Sequence, residues 1–183
     1  MDGSRLFVIS GCSSAGKSTL LEALARGGEV VSDEPGRQIV KEQLRLGGDA
    51  LPWKNPQAFI DLCAEYAIKE FDKHAGQDHR VFFDRSFIDV ASAVELTGLV
   101  APASLEDALK SRRYATTVFI APPWAELFRQ DEERRHTLAD AIAEYAVLVP
   151  TFQRHGYQVA FLPKASVEER VEFVRSTLAA ATH

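Results

Sequence analysis

Nine consecutive residues, Gly11-Cys12-Ser13-Ser14-Ala15-Gly16-Lys17-Ser18-Thr19, fit the spacing G-x-x-x-x-G-K-[ST], which suits a chain that holds phosphate. Gly11 and Gly16 can take backbone angles closed to other residues and let the main chain approach an anion closely. Successive amide N–H groups then point into the concavity. Lys17 has the charge and reach for β- and γ-phosphates, and the Ser18 hydroxyl is placed for Mg²⁺. All nine residues are candidate ligands of a nucleoside triphosphate, with ATP and Mg²⁺ as the expected cofactors. A Gly/Ser-rich turn can match this spacing by chance. The flanks argue against chance: strand-like Leu6-Phe7-Val8-Ile9 precedes the run, and helix-forming Leu20-Leu21-Glu22-Ala23-Leu24-Ala25 follows it.

A second group of reactive residues follows the apolar run Val81-Phe82-Phe83, namely Asp84-Arg85-Ser86. A carboxylate at the C-terminal end of a buried strand can hold Mg²⁺ or its water shell beside Ser18, at the edge where α/β sheets place ligands. Arg85 can meet a substrate or phosphate oxygen. A salt bridge capping the next helix would account for the same pair without function. Val30-Val31-Ser32-Asp33-Glu34-Pro35 brings two more carboxylates directly behind a strand. Here Asp33 reads as the helix N-cap and Glu34 as the base that orients and deprotonates an attacking hydroxyl.

Arg129 and, beyond Gln130-Asp131-Glu132-Glu133, the pair Arg134-Arg135 suit a mobile lid around 124–138. Lid arginines close over a triphosphate and neutralise transition-state charge. A solvated helix face with i,i+3 and i,i+4 ion pairs is the alternative, and the three arginines cannot share one helical face. Trp53 can stack on a flat acceptor or plug the core, and Arg37, one turn past Asp33, can bind substrate or pair with an acid. The five histidines have no metal-ligand spacing with one another or with a cysteine.

These groups need elements to position them. Strand-like stretches recur at Leu6–Ser10, Glu29–Ser32, Arg80–Phe83, Thr116–Ala121 and Tyr157–Leu162, with helical patterns between them. Leu20–Arg26 and Gly36–Leu46 each stop at a Gly-Gly pair. Asn55-Pro56 opens a helix that carries Phe59, Leu62, Cys63, Tyr66 and Phe71, and Phe87–Leu96 is a further apolar helix. Ser104 with Asp107, and Ser166 with Glu169, have capping-box spacing. Thr137–His155 reads as a long helix that Pro150 should kink or split. Strands alternating with helices predict an α/β fold with a parallel sheet covered on both faces.

The 183 residues suit a single domain, 1–183, with its own core. A formal charge of −5 argues against a nucleic-acid-binding face. No apolar run reaches the roughly 20 residues of a membrane span, and Met1–Arg5 runs straight into the first strand without room for a signal peptide. Cys12 reads as a loop position where only the backbone counts and Cys63 as a small core residue, so a reducing cytoplasm is expected. Absences narrow the branch further: there is no N-K-x-D guanine motif and no L-S-G-G-Q run, and Asp131-Glu132 does not end a strand.

The succession of the phosphate loop, Asp33-Glu34-Pro35, Gly47-Gly48-Asp49-Ala50-Leu51-Pro52-Trp53, Asp84-Arg85, Pro122-Pro123-Trp124, Arg129–Arg135 and Leu162-Pro163-Lys164-Ala165-Ser166 spans nearly the whole chain. It resembles the bacterial AAA-type "predicted ATPase" group of P-loop proteins. That group is allied with the kinase domain of ribosylnicotinamide kinases and with eukaryotic GTP-binding relatives. The Glu-Pro after the second strand and the acid-Arg-Ser after the third also resemble deoxynucleoside kinases. The resemblance implies a P-loop three-layer sandwich with a five-stranded parallel sheet of order 2-3-1-4-5. It implies Glu34 as base, Asp84 near Mg²⁺, Arg85 near the reacting phosphate, and Arg129, Arg134 and Arg135 in the lid. The chain departs from deoxynucleoside kinases in having Asp84 where they carry glutamate, and it lacks their long substrate-binding insertions.

The expectation is therefore an ATP- and Mg²⁺-dependent phosphotransferase acting on a small hydroxyl-bearing, nucleoside-like acceptor that Glu34, Arg37, Trp53 and Arg85 would bind. The alternative is a slow ATP or GTP hydrolase that serves as a switch for a protein or lipid partner.

Overall fold

The computed structural model describes residues 2–127 and 137–180. Five parallel strands form the main sheet: β1 (Leu6–Gly11), β2 (Val30–Ser32), β3 (Val81–Asp84), β4 (Thr117–Ala121) and β5 (Gln158–Phe161). Their spatial order is β2-β3-β1-β4-β5, the order that the family resemblance implies. Among the described residues seven α-helices lie between and after the strands: α1 (Lys17–Arg26), α2 (Pro35–Leu46), α3 (Pro56–His74), α4 (Phe87–Thr97), α5 (Ala103–Ser111), α6 (Leu138–Arg154) and α7 (Val167–Ala180). Asp2–Gly3 and Arg113–Tyr114 add a separate two-stranded parallel ladder.

Strand side chains alternate between the two faces, and each face carries its own core. Leu6, Val8, Val81, Phe83, Val118 and Ile120 pack on one side with residues of α3, α4 and α6. Ile9, Phe82, Phe119 and Ala121 pack on the other with Leu20, Leu21 and Leu24 of α1 and Val174 of α7. In the first core Tyr114 meets Phe71, Phe83 and Phe87, with ring centroids 4.8, 5.3 and 4.8 Å away. Full burial of each such side chain contributes about 1.5–3 kcal/mol. The result is the helix–sheet–helix layering expected of the α/β class.

The helix ends follow their local chemistry, with three departures from the sequence reading. Asn55 accepts from Ala58 N–H, and Ser166 and Glu169 exchange hydrogen bonds, as their spacings predict. Asp33 is not the cap of α2; that place falls to Glu34, which makes no side-chain cap bond. Pro35 at the first helical position forces its predecessor into an extended conformation, so the non-helical residue has to be Glu34. The expected Ser104–Asp107 box does not form either. The chain turns helical directly after Pro102, whose carbonyl accepts from Leu105 and Glu106 N–H, leaving Ser104 inside the first turn. Thirdly, α6 runs unbroken through Pro150. Leu148 and Phe152 are buried on either side of that proline, which offsets the roughly 3 kcal/mol an interior proline costs.

Parallel register sets the site. Ile9 pairs with Asp84 and Gly11 with Ala121, so the phosphate loop leaves the sheet between two strand ends. Among the described residues, no helix is long and apolar enough to cross a membrane.

Candidate functional site

The loop after β1 turns sharply, and its glycines are required. Gly11 has φ 114°, and a Cβ there would lie 2.2 Å from the carbonyl oxygen of Ala121. Gly16 is left-handed (φ 73°) and caps α1. Ser14 also has a positive φ of 58°. Lys17 is buried, and its ammonium donates to the carbonyls of Cys12 at 2.9 Å and Gly11 at 3.2 Å, so it spans the loop's mouth. Ser18 follows in the first turn of α1, half-buried. The Thr19 hydroxyl turns back to Gly16 O at 2.9 Å.

Cys12 differs from its reading as a backbone-only position. Its N–H donates to Ala121 O at 2.9 Å, and its buried thiol reaches Ala141 O of α6 at 3.5 Å. Burial pushes that thiol's pKa up. Cys12 therefore ties the loop to β4 and α6. Cys63 lies in the core as expected, and both cysteines are free.

Beside the loop, Asp84 ends β3 and is almost wholly buried. Burial first, then the neighbouring Glu34, raises its pKa to about 6, against the pull of Lys17 and Arg85. Its Oδ1 is buried and has no hydrogen-bond partner among the described residues. A hard carboxylate oxygen of this kind, near Lys17 of the phosphate loop, fits a hydrated Mg²⁺.

Arg85 has a positive φ of 68°, a conformation that costs of order 1–3 kcal/mol in a non-glycine residue. Its N–H donates to Ile9 O at 3.0 Å, so the turn is locked to β1. The strain aims the guanidinium back into a ring of acids. Nε lies 3.2 Å from Glu34 Oε1, Nη1 3.4 Å from Asp89 Oδ1, and Nη2 4.0 Å from Glu144 Oε2. Burial alone would lower the arginine's pKa, but Glu34, Asp89, Glu144 and Asp84 outweigh it and hold the charge more firmly than usual.

Asp89 and Glu144 were not among the sequence candidates. Asp89 is buried in α4 and accepts from Ser86 N–H at 2.8 Å, Ser86 Oγ at 2.7 Å and the Ser10 hydroxyl. The spacing Ser86-x-x-Asp89 was a visible helix-start signal for it. Glu144 comes from α6, and no local pattern announces it.

A cavity of about 220 Å³ opens from the loop into the space between α2, α3, α4 and α6. Its wall includes Gly11 and Ser13 of the loop and the charged Glu34, Arg37, Arg85, Asp89 and Glu144. Apolar Val40, Phe59, Ile60, Val90, Leu96 and Leu148 complete the lining. Glu34, Arg37 and Arg85 thus meet at one cavity. Trp53 does not join them: Pro52 is in the lining and Trp53 is not. The turn is set by burial of Leu51 and by Ala50 N–H on Gln43 Oε1, which brings Pro52 to the wall. Arg129, Arg134 and Arg135 lie outside the described residues, which resume at Thr137. No cluster of three or more potential metal-ligating His, Cys, Asp or Glu residues occurs among the described residues.

A family model described as an AAA domain matches residues 6–170. The chain belongs to that AAA-domain family. Solved structures that align with the chain include a deoxyadenosine kinase, NadR and a thymidylate kinase. Deoxyadenosine kinase from M. mycoides, with the products dCMP and a flexible dCDP bound, aligns with TM-score 0.62 and 12% identity over 96% of this chain and 99% of that one. NadR in complex with NR aligns with TM-score 0.64 and 17% identity over 94% of this chain, which spans only 51% of the NadR chain. Thymidylate kinase from Ehrlichia chaffeensis gives TM-score 0.57 and 17% identity over 97% and 100% of the two chains. No curated protein matches significantly. The AAA-domain protein therefore has a kinase-like P-loop fold, and identities this low speak for the fold alone.

Proposed function

We propose that this AAA-domain protein is an ATP- and Mg²⁺-dependent small-molecule kinase that phosphorylates a hydroxyl of a nucleoside-like acceptor. The observation that carries the reading is the cavity. It is walled by phosphate-loop residues, by apolar side chains and by the paired carboxylate and arginine of Glu34 and Arg85. A slow hydrolytic switch needs no such second chamber. The deoxyadenosine kinase and NadR structures, which hold dCMP and NR respectively, support an acceptor of nucleoside type.

In this reading Lys17 and the loop amides hold the β- and γ-phosphates. Ser18 and Asp84 would hold Mg²⁺, which supplies charge neutralisation on the phosphate oxygens. The acceptor hydroxyl enters from the cavity. Glu34, aligned by Arg85, accepts its proton as the oxygen bonds to the γ-phosphorus and the bond to the β-phosphate oxygen breaks, leaving ADP. Arg85 stabilises charge on the transferring group. Arg37 and the apolar wall bind the acceptor's body. Arg129, Arg134 and Arg135 belong to a lid over the triphosphate. The whole chain acts as one domain in a cytoplasmic setting.

ADP release from Mg-ATP, measured alone and with a panel of nucleosides, ribosylnicotinamide and related hydroxyl compounds, tests this. Acceptor-stimulated turnover with a phosphorylated product confirmed by mass is expected. Slow turnover indifferent to every acceptor would replace the kinase with the switch.

A further inference from the structure

Arg170, in the first part of α7, is only 2% exposed, and it lies against the back of the phosphate loop. Its Nη1 donates to Gly16 O at 3.0 Å and its Nη2 to Ala15 O at 3.2 Å. The Trp124 ring covers the guanidinium, 5.9 Å from its centroid. No acidic side chain among the described residues pairs with it, and burial alone lowers its pKa. A buried guanidinium without a counter-charge is expensive. Two neutral carbonyls compensate it only in part, whereas the anionic ring around Arg85 is complete within the protein.

The carbonyls it holds are informative. In a trans peptide the C=O and the following N–H point to opposite sides. Fixing the Ala15 and Gly16 carbonyls toward α7 turns the N–H groups of Gly16 and Lys17 away from α7, into the loop's concavity. The approach is close enough to constrain sequence: a Cβ on Gly16 would lie 2.6 Å from Arg170 Nη1.

We infer that Arg170 is a positioning residue of the phosphate site, orienting the Gly16 and Lys17 amides through the carbonyls behind them and adding positive charge behind the loop. This rests on the loop being a nucleotide site. It makes α7, which contributes nothing to the acceptor cavity, part of nucleotide binding.

Calorimetric titration of Mg-ADP into the full chain and its variants tests the inference. Wild type should bind and Lys17→Ala should not; if wild type fails to bind, the nucleotide reading falls and the inference with it. Given wild-type binding, Arg170→Gln should weaken it at least about tenfold. Arg170→Lys, which keeps the charge but on a single nitrogen, should recover part of that loss. Val174→Ala removes core contacts of the same helix and keeps the Arg170 guanidinium and its two carbonyl partners. It should lower the melting temperature and leave the affinity unchanged. Wild-type affinity in Arg170→Gln or in Arg170→Lys overturns the proposal. So does an affinity loss in Val174→Ala that matches that of Arg170→Gln. Should Arg170→Gln fail to fold, Arg170→Lys decides alone, with an intermediate affinity expected.

Discussion

Arg85 Nε stands 3.2 Å from Glu34 Oε1, an ion pair that ties the end of β3 to the start of α2. The pair connects two crossover turns of the sheet at the mouth of the cavity. Glu34 is thereby held in one orientation at the cavity wall. Arg85 also engages Asp89 and approaches Glu144, so loss of Glu34 alone leaves the arginine anchored.

Glu34→Gln should accordingly keep nucleotide affinity within about threefold while acceptor phosphorylation falls about 10²–10⁴-fold. Calorimetry with Mg-ADP and product analysis by mass separate the two quantities. Full transfer activity in this variant would remove Glu34 from the mechanism.

Asp84→Asn should erase the benefit of Mg²⁺. The variant should bind ADP in EDTA about as well as wild type, and turnover with Mg-ATP should drop roughly 10²-fold. A Mg²⁺ titration of turnover with an unchanged midpoint would place the ion elsewhere.

Gly11→Ala should fail before any chemistry begins. The new Cβ would press against backbone, 2.2 Å from Ala121 O, at a φ of 114°, and the expected loss is on the order of 3 kcal/mol or more. Thermal melting should register a fall of several degrees together with lost nucleotide binding; a wild-type melt would contradict the close approach of the loop to β4.

His74 predicts a pH effect on stability. Burial lowers its pKa, aided by Lys73 and His79 and opposed by Glu70, whose Oε2 is 3.8 Å away, while Phe83 packs on the ring. The folded state then binds fewer protons than the unfolded one below the ordinary histidine pKa near 6.5. Stability is present above that value and drains as pH falls through the folded pKa. The melting temperature of wild type should drop more than that of His74→Gln between pH 7.5 and 5.5. Parallel pH curves for the two proteins would show that His74 carries no such linkage.

Much of the scaffold was legible because it is written locally. The G-x-x-x-x-G-K-[ST] spacing, the alternating strands and the Asn55 and Ser166 caps depend on neighbours in sequence, and each of these elements appears within a residue or a few of its expected bounds. Asp84 and Glu34 could be placed beside the phosphate loop because strand ends and carboxylates are both readable. The partners of Arg85 were not. Glu144 reaches the cluster from the far side of the cavity, and Arg170 meets Ala15 across 155 positions. No periodicity links such pairs; only the packing of α6 and α7 brings them in. The Asp33 misreading is different in kind: it followed residue preference at a cap and neglected the steric rule that Pro35 imposes on Glu34.

The strand that leads into the phosphate loop is made early but sits in the middle of the sheet, between β3 and β4. A chain emerging from the ribosome must therefore carry β1 with both hydrogen-bonding edges open. One closes when Val81–Asp84 arrives and the other only with Thr117–Ala121. Until then an apolar strand is exposed to pairing with foreign strands. A nascent chain or a fragment cut before residue 117 should be a client of holding chaperones, whereas a cut after β4 leaves that strand covered on both sides.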